Sequence, residues 1–309
     1  MLQQEGVMAR PVVLIISATS RNGREVARRL LAQGKCTVRL AARDPSKVAD
    51  LVSEGAEAVA LDVASLESMK QACTGVDFVY MILPSLAQGA EVTMFENFLQ
   101  AAKATGVKHV VYMSSMDADP SKGFKAFHSN YEREQALLGS GIAATILRPT
   151  WFHENAVMYC AESVRRTGEF RSSAGDGVWT CVAIRDIAAA AVAVLSDPKA
   201  HAGEVYTLTT EAVTEKELAE KIGKVAGKKV THVNLSPEEY YDLLKQIYPG
   251  PVSGADEFAH AIVTLDEEKR RSLFSEVHPD LERLIGRKGV SLDDFLAEHA
   301  GAFKTQEAA

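Results

Sequence analysis

The segment Arg39-Leu40-Ala41-Ala42-Arg43-Asp44-Pro45-Ser46-Lys47 closes an apolar run with two cations one helical turn apart. Arg43 lies 20 residues beyond Gly23. In a doubly wound fold that spacing reaches the end of the second strand, where one side chain reads the adenosine ribose of a dinucleotide. A carboxylate there favours a free 2′-hydroxyl. An arginine suits a 2′-phosphate, because its planar fork matches phosphate oxygens in pairs. Arg43 with Lys47 therefore predicts a cradle for NADP(H), against the plainer alternative of two solvated surface charges. Asp62, ending a third strand, could accept from the adenine amino group or simply cap the next turn.

The pyrophosphate of such a ligand needs free backbone N–H groups and a helix N-terminus. The turn Ser17-Ala18-Thr19-Ser20-Arg21-Asn22-Gly23 stands where those groups belong. Of the three glycines expected there it keeps only Gly23, which lets helix and strand pack closely. Ser17 and Ser20 occupy the two earlier glycine positions. Either these hydroxyls, with Thr19 and Asn22, supply hydrogen bonds to phosphate, or the turn is packed and has lost its ligand.

These residues must be held by a sheet. Val12-Val13-Leu14-Ile15-Ile16 is apolar and β-branched throughout, as a strand buried on both faces requires. A helical pattern with Val26, Leu30 and Leu31 follows and ends at Gly34, a natural left-handed cap. Strands at Cys36–Ala42, Ala58–Asp62, Asp77–Leu83, His109–Ser114 and Ala144–Leu147 alternate with helices at Ser46–Glu54, Leu66–Thr74, Thr93–Thr105 and Asn130–Leu138. Such alternation demands parallel pairing through right-handed crossovers. The fold class is α/β, a Rossmann-type doubly wound parallel sheet with a smaller, mostly helical C-terminal cap. A short strand at Val178–Ile184, a helix at Ile187–Leu195 and one more sheet strand at Val205–Thr209 follow. Residues 10–155 with 178–210 form the expected nucleotide-binding domain, and 156–177 with 211–304 the substrate-binding cap. The charged face from Glu215 to Lys229, and Glu211, read as solvated surface.

Four stretches together carry a resemblance: Val12–Gly23, Val38–Lys47, Tyr112-Met113-Ser114-Ser115, and Ile146-Leu147-Arg148-Pro149-Thr150-Trp151-Phe152-His153-Glu154-Asn155. The chain resembles the NmrA-like atypical short-chain dehydrogenases/reductases. The Arg-Pro-Thr-Trp-Phe-x-Glu-Asn stretch, with Asp186-Ile187-Ala188, is similar in particular to the ergot-alkaloid festuclavine/agroclavine synthase branch. The resemblance implies NADP(H) as cofactor and a substrate pocket between sheet and cap. It also implies that Met81 to Pro84, with Leu83 and Pro84 in contact, passes under the nicotinamide ribose. Pro149 is counted with the cofactor site.

The usual Tyr-x-x-x-Lys pair of these dehydrogenases would fall near Ala126 and Asn130, and neither can supply its chemistry. Reduction of an iminium or a conjugated quinone needs less acid catalysis than ketone reduction, because the electron sink is already charged or extended. His128 and Tyr131 are the candidate acids, although His128 could equally cap its helix. Ser114 and Ser115 follow the fifth strand at its carboxyl end, where open α/β sheets bind ligands. They are placed with the cofactor and the catalytic groups respectively, or they satisfy the turn backbone. Met116, Trp151, Phe152, His153 and Asn155 are expected to bind a flat apolar substrate, although aromatics in such loops also pack domains.

The leading expectation is an NADPH-dependent reductase of a small imine/iminium or quinone-like electrophile, working without the Tyr/Lys dyad. Its rivals are a non-catalytic NADP(H)-sensing regulator and an isomerase or cyclase that uses nucleotide without redox turnover. The net charge of −7 over 309 residues argues against nucleic acid as a partner. Four cysteines without CxxC or Cys/His spacing predict no metal site. No apolar run is long enough for a membrane span, and Met1–Arg10 lacks a signal-peptide core. The expected location is therefore cytoplasmic. The cap helices would also suit a homodimer interface.

Overall fold

Val12–Ile16 forms β1, whose last three residues are fully buried. The computed structural model describes residues 10–83, 90–118, 121, 123, 128–247 and 255–304. Strand β1 pairs in parallel with β2 (Thr37–Ala42) on one side and β4 (Phe78–Ile82) on the other. A strand flanked on both edges and covered on both faces has no room for polar side chains, which accounts for its composition. The first helix, α1 (Arg21–Gln33), begins at Ser20, whose side chain accepts from Gly23 N, and ends at Gly34 with φ of 63°.

The alternation continues with α2 (Ala49–Ser53), β3 (Glu57–Ala60), α3 (Leu66–Cys73), α4 (Ala90–Thr105), β5 (His109–Met113), α5 (His128–Leu138) and β6 (Ala143–Pro149). After β6 come β7 (Trp151–Phe152), α6 (Ala161–Thr167), β8 (Glu169–Ser172), β9 (Trp179–Val182), α7 (Ile184–Ser196) and β10 (Val205–Leu208). The main sheet has seven strands in the order β10-β6-β5-β4-β1-β2-β3. The Rossmann-type doubly wound sheet expected from the sequence is present, including β10 as its last strand. The edge strand β3 is short and mostly exposed, which keeps the open edge small.

The rest of the chain is β11 (Glu211–Val213), α8 (Glu215–Ala226), β12 (Thr231–Asn234), α9 (Pro237–Ile247), α10 (Ala255–Arg270), α11 (Asp280–Ile285) and α12 (Leu292–Glu298). Two small sheets, β11-β9-β7 and β12-β8, lie in this part. The sequence reading missed β12. Its four residues, Thr231-His232-Val233-Asn234, are too few for a visible alternation, and its partner β8 is about 60 residues away along the chain.

The chain divides into two compact units. One holds the described residues up to Tyr112 with Leu137–Thr145 and Ala191–Glu204; the other holds Met113–Ala136, Ile146–Ala190 and the described residues from Val205 on. The second unit has its own apolar core, in which Trp179, Val164, Ile222, Leu292, Leu296 and Phe303 are buried. No described helix is long and apolar enough to cross a membrane.

Candidate active site

In the first unit the β1–α1 turn is organised by its own hydroxyls. Ser17 adopts a left-handed backbone with φ of 64°, a conformation that favours glycine. It is held there by its Oγ, which donates to Ile82 O at 2.8 Å, and by its carbonyl, which accepts from Ser20 N at 3.0 Å. Ser20 caps α1 through Gly23 N at 3.0 Å. Asn22 is buried, and its Oδ1 accepts from Tyr80 OH at 2.7 Å. These three side chains therefore help to shape the turn, although Ser20, half-buried, only accepts in its cap and keeps its own O–H. Thr19 is the exposed hydroxyl of the turn. Of the two serines read as standing at glycine positions, Ser17 has the left-handed backbone and Ser20, with φ of −70°, does not.

Helix α1 carries no acidic residue in its first turn, which reads Arg21-Asn22-Gly23-Arg24. The dipole and the two arginines together make this end electropositive. Arg24 pairs with Asp50 and donates to Lys47 O, while Arg21 is exposed. Neither arginine was singled out from sequence, because an arginine at the start of a helix looks like ordinary solvated surface.

Beyond β2, Arg43 and Lys47 are both exposed, and neither side chain joins an ion pair among the described residues. Asp44, also exposed, caps the following short helix through Ser46, whose hydroxyl and N–H hold its carboxyl below the usual range. Asp62 is exposed, and its Oδ1 accepts from Ala64 N at 3.0 Å, so it caps the turn. Leu83 follows β4 and is half-buried; Pro84 lies outside the described residues.

The second unit contains a cavity of about 640 Å³. Trp151, Phe152 and Asn155 line it, as do Ser115, Met116 and Pro149. The indoles of Trp151 and Trp179 meet edge to face, with centroids 4.8 Å apart at 63°. Lys269 Nζ stands over both rings, 4.9 Å from the Trp151 centroid and 4.5 Å from that of Trp179. It also donates to Glu215 Oε1 at 3.2 Å and lies 3.6 Å from Asp266. Asp266 accepts in turn from Ser173 N at 2.8 Å. Burial, reinforced by the nearby Glu215 carboxylate, raises the Asp266 carboxyl above its ordinary range.

This charged group corrects the sequence reading, which took Glu215 as solvated. Glu215 is 3% exposed and lines the cavity. Only a partner 54 residues away makes that burial tolerable, so no local signal announced it. Glu211 is likewise engaged, accepting from Leu292 N and pairing with Lys221.

His153 does not line the cavity. Its ring is fully buried against Phe295, with centroids 5.5 Å apart, and burial pushes its pKa down to about 3. It serves as an apolar core residue, which overturns its expected contact with substrate. Glu154, from the same motif, accepts from Ile184 N and so caps α7. Asp186 is buried and holds Val290 N and Arg287. These motif residues hold elements in place.

Ser115 Oγ accepts from Asn130 Nδ2 at 2.8 Å. Asn130 Oδ1 in turn accepts from Arg133 at 3.1 Å. Since a guanidinium only donates, the amide orientation is fixed, and Ser115 keeps its own O–H to give away. Asn130 thus orients a serine hydroxyl. Ser114 is buried, and its Oγ has no partner among the described residues. Tyr131 is half-buried and does not line the cavity. His128 begins α5; its side chain lies outside the described residues, as does Ala126.

A model of the NmrA-like family matches residues 10–296. The chain is 32% identical over 294 residues to a (4-alkanoyl-5-oxo-2,5-dihydrofuran-3-yl)methyl phosphate reductase of Streptomyces griseus, covering 94% of this chain and 99% of that one. It is 25% identical to agroclavine dehydrogenase of Claviceps fusiformis over 239 residues, 75% of this chain and 78% of the relative. The crystal structure of the Escherichia coli NADPH-dependent quinone oxidoreductase complexed with NADPH matches with a TM-score of 0.81 at 28% identity, covering 94% of this chain and 98% of that one.

Proposed function

The chain belongs to the NmrA-like family and is an NADP(H)-dependent oxidoreductase, and we propose that it reduces a flat, conjugated small electrophile of the imine/iminium or quinone class. The observation that carries this reading is the cavity itself, whose wall includes Trp151, Phe152, Phe170, Leu218 and Phe258 and so suits a conjugated small ligand. The relatives support the same class, since a dihydrofuranone reductase and a quinone oxidoreductase both name conjugated carbonyl substrates.

The first unit suits the phosphates of NADP(H). Gly23 lacks the Cβ that would hold α1 away from β1, so backbone N–H groups can approach a pyrophosphate closely. We assign Arg43 and Lys47 to the 2′-phosphate, Thr19 and the N–H groups of the turn to the pyrophosphate, and Asp62 to the adenine amine. Ser17, Ser20 and Asn22 act one step back, by fixing that turn. When bound, NADPH supplies the hydride.

In the cavity, Ser115 is assigned the hydrogen bond to the substrate oxygen or nitrogen. Asn130 removes the freedom of its hydroxyl to turn away, and Met116 and Asn155 complete the wall. No lysine is needed to acidify a tyrosine, because the conjugated acceptor spreads the incoming charge.

The test is steady-state NADPH oxidation with a panel of quinones, conjugated lactones and cyclic iminium ions, with product counted against nicotinamide consumed. One-to-one consumption with at least one class is expected. Binding of NADPH with no turnover across the panel would overturn the reading in favour of a nucleotide-sensing regulator. Product without nicotinamide consumption would favour an isomerase.

A further inference from the structure

We propose that Lys269 sets the charge specificity of the cavity: by covering the ring faces of Trp151 and Trp179, it admits an uncharged conjugated carbonyl compound and turns away a cation such as an iminium. This rests on the preceding reading of the cavity as the substrate site.

Indole faces attract cations more strongly than any other side-chain ring, and an open pair of them would select a quaternary or iminium nitrogen. Here the pair is already occupied. Lys269 Nζ is 4.9 Å from one centroid and 4.5 Å from the other, and its side chain is only 8% exposed. Its position is pinned by Glu215 at 3.2 Å and Asp266 at 3.6 Å, which are themselves buried. Both carboxylates are engaged within the protein. Glu215 Oε1 faces Lys269, and Asp266 Oδ2 takes Ser173 N and Oγ.

A cationic ligand would therefore find its natural seat on the indole faces already taken by an ammonium, whose carboxylate partners Glu215 and Asp266 are committed to it. A quinone or an unsaturated lactone meets no such penalty. Its ring can stack on the remaining apolar wall of Phe152, Phe170, Leu218 and Phe258, and the negative end of its carbonyl dipole is welcome near the ammonium. Of the two electrophile classes that the missing dyad leaves open, this arrangement selects the neutral carbonyl.

The experiment uses three flat bicyclic probes of similar size: naphthoquinone, quinoline and N-methylquinolinium, at a pH where quinoline is neutral. Both tryptophans of the chain line the cavity, so quenching of intrinsic fluorescence reads binding without cofactor or turnover. In the wild type the two neutral probes are expected to bind, and the cation at least about tenfold more weakly. The double variant Lys269→Met with Glu215→Gln removes one charge of each sign and frees both indole faces. It should gain about tenfold for N-methylquinolinium while the neutral probes change little. Lys269→Arg keeps a cation on the rings and should still reject the probe.

Equal binding of quinoline and N-methylquinolinium by the wild type overturns the inference. So does a double variant that melts cooperatively yet gains nothing for the cation. Should that variant fail to fold, the wild-type and Lys269→Arg comparisons decide alone. If no probe quenches the wild type, the cavity is not the substrate site, and the reading beneath the inference falls with it.

Discussion

Gly23 and Ser17 approach so closely that a Cβ on Gly23 would stand 2.6 Å from the Ser17 carbonyl oxygen. That contact is backbone against backbone and cannot be relieved by a rotamer change. Gly23→Ala should therefore push α1 off β1, cost about 1–3 kcal/mol in a urea melt, and lower NADPH affinity together with stability. Ser17→Gly is the instructive partner. It relieves a left-handed backbone, worth about 1–2 kcal/mol, but loses the Oγ bond to Ile82 O, worth about 1 kcal/mol. It should melt close to wild type and still bind nucleotide, whereas Ser17→Val should lose both. A Ser17→Val variant with full stability and affinity would contradict this account of the turn.

Arg43 is exposed and takes part in no ion pair among the described residues, so its removal should leave the fold intact. Arg43→Ala is predicted to weaken NADPH binding about tenfold to a hundredfold while NADH changes much less. Calorimetric titration of both nucleotides checks the split. Equal losses for NADPH and NADH would remove the 2′-phosphate from the argument, and an unchanged NADPH affinity would move it to Arg21 or Lys47.

The Arg133–Asn130–Ser115 relay predicts coupled kinetics. Ser115→Ala and Asn130→Ala should each lower kcat about tenfold, with KM moved less, because the hydrogen bond matters most where charge develops on the acceptor. The double variant should lose little more than either single one if Asn130 acts on catalysis through its bond to Ser115. Fully multiplicative losses would show that Asn130 has a separate role.

How far these assignments were legible in the sequence depends on how local their causes are. The apolar run of β1, the left-handed Gly34 and the close approach at Gly23 each follow from neighbours within a few residues, and each was readable. Trp151 and Phe152 were nameable as a pair of adjacent rings after a sheet strand, but whether such rings line a cavity or pack a domain is not a local property; both line the cavity here. What failed was non-local. Glu215 opens α8 inside the capping pattern Thr214–Glu217, and nothing nearby distinguishes it from a solvated glutamate. Its burial is created by Lys269 and Asp266, from α10. His153 sits among pocket residues in sequence, yet its ring meets Phe295, 142 residues later in the chain. Asn130 was read only as lying near the position expected for the dyad's lysine; its orientation of Ser115 appears only once α5 is set beside the chain following β5.

The buried histidines predict the acid limb of stability. Burial pushes His153 down to about 3 and His109 down to about 4, against 6.5 for an exposed imidazole, and it lowers His232 as well. His153 and His109 stay neutral in the folded protein through most of the range up to 6.5, while the unfolded chain takes up their protons. Between about pH 4 and 6.5 the unfolded state therefore binds more protons, so stability rises with pH, by up to about 1.4 kcal/mol per unit for each histidine. The full contribution is present above pH 6.5. Carboxylates with lowered values, such as Asp77 beside Lys108, titrate below 3.8 and act only under this window. Asp266, raised by burial, opposes the trend in part, so the clean measurement is a difference between variants. Urea melts of wild type and His153→Phe at pH 7.5 and pH 5, the phenyl ring keeping the contact with Phe295, should show a smaller acid loss for the variant, by about one proton's worth. Identical losses would mean that His153 is solvated and protonated in the native protein, and that it faces a ligand site after all.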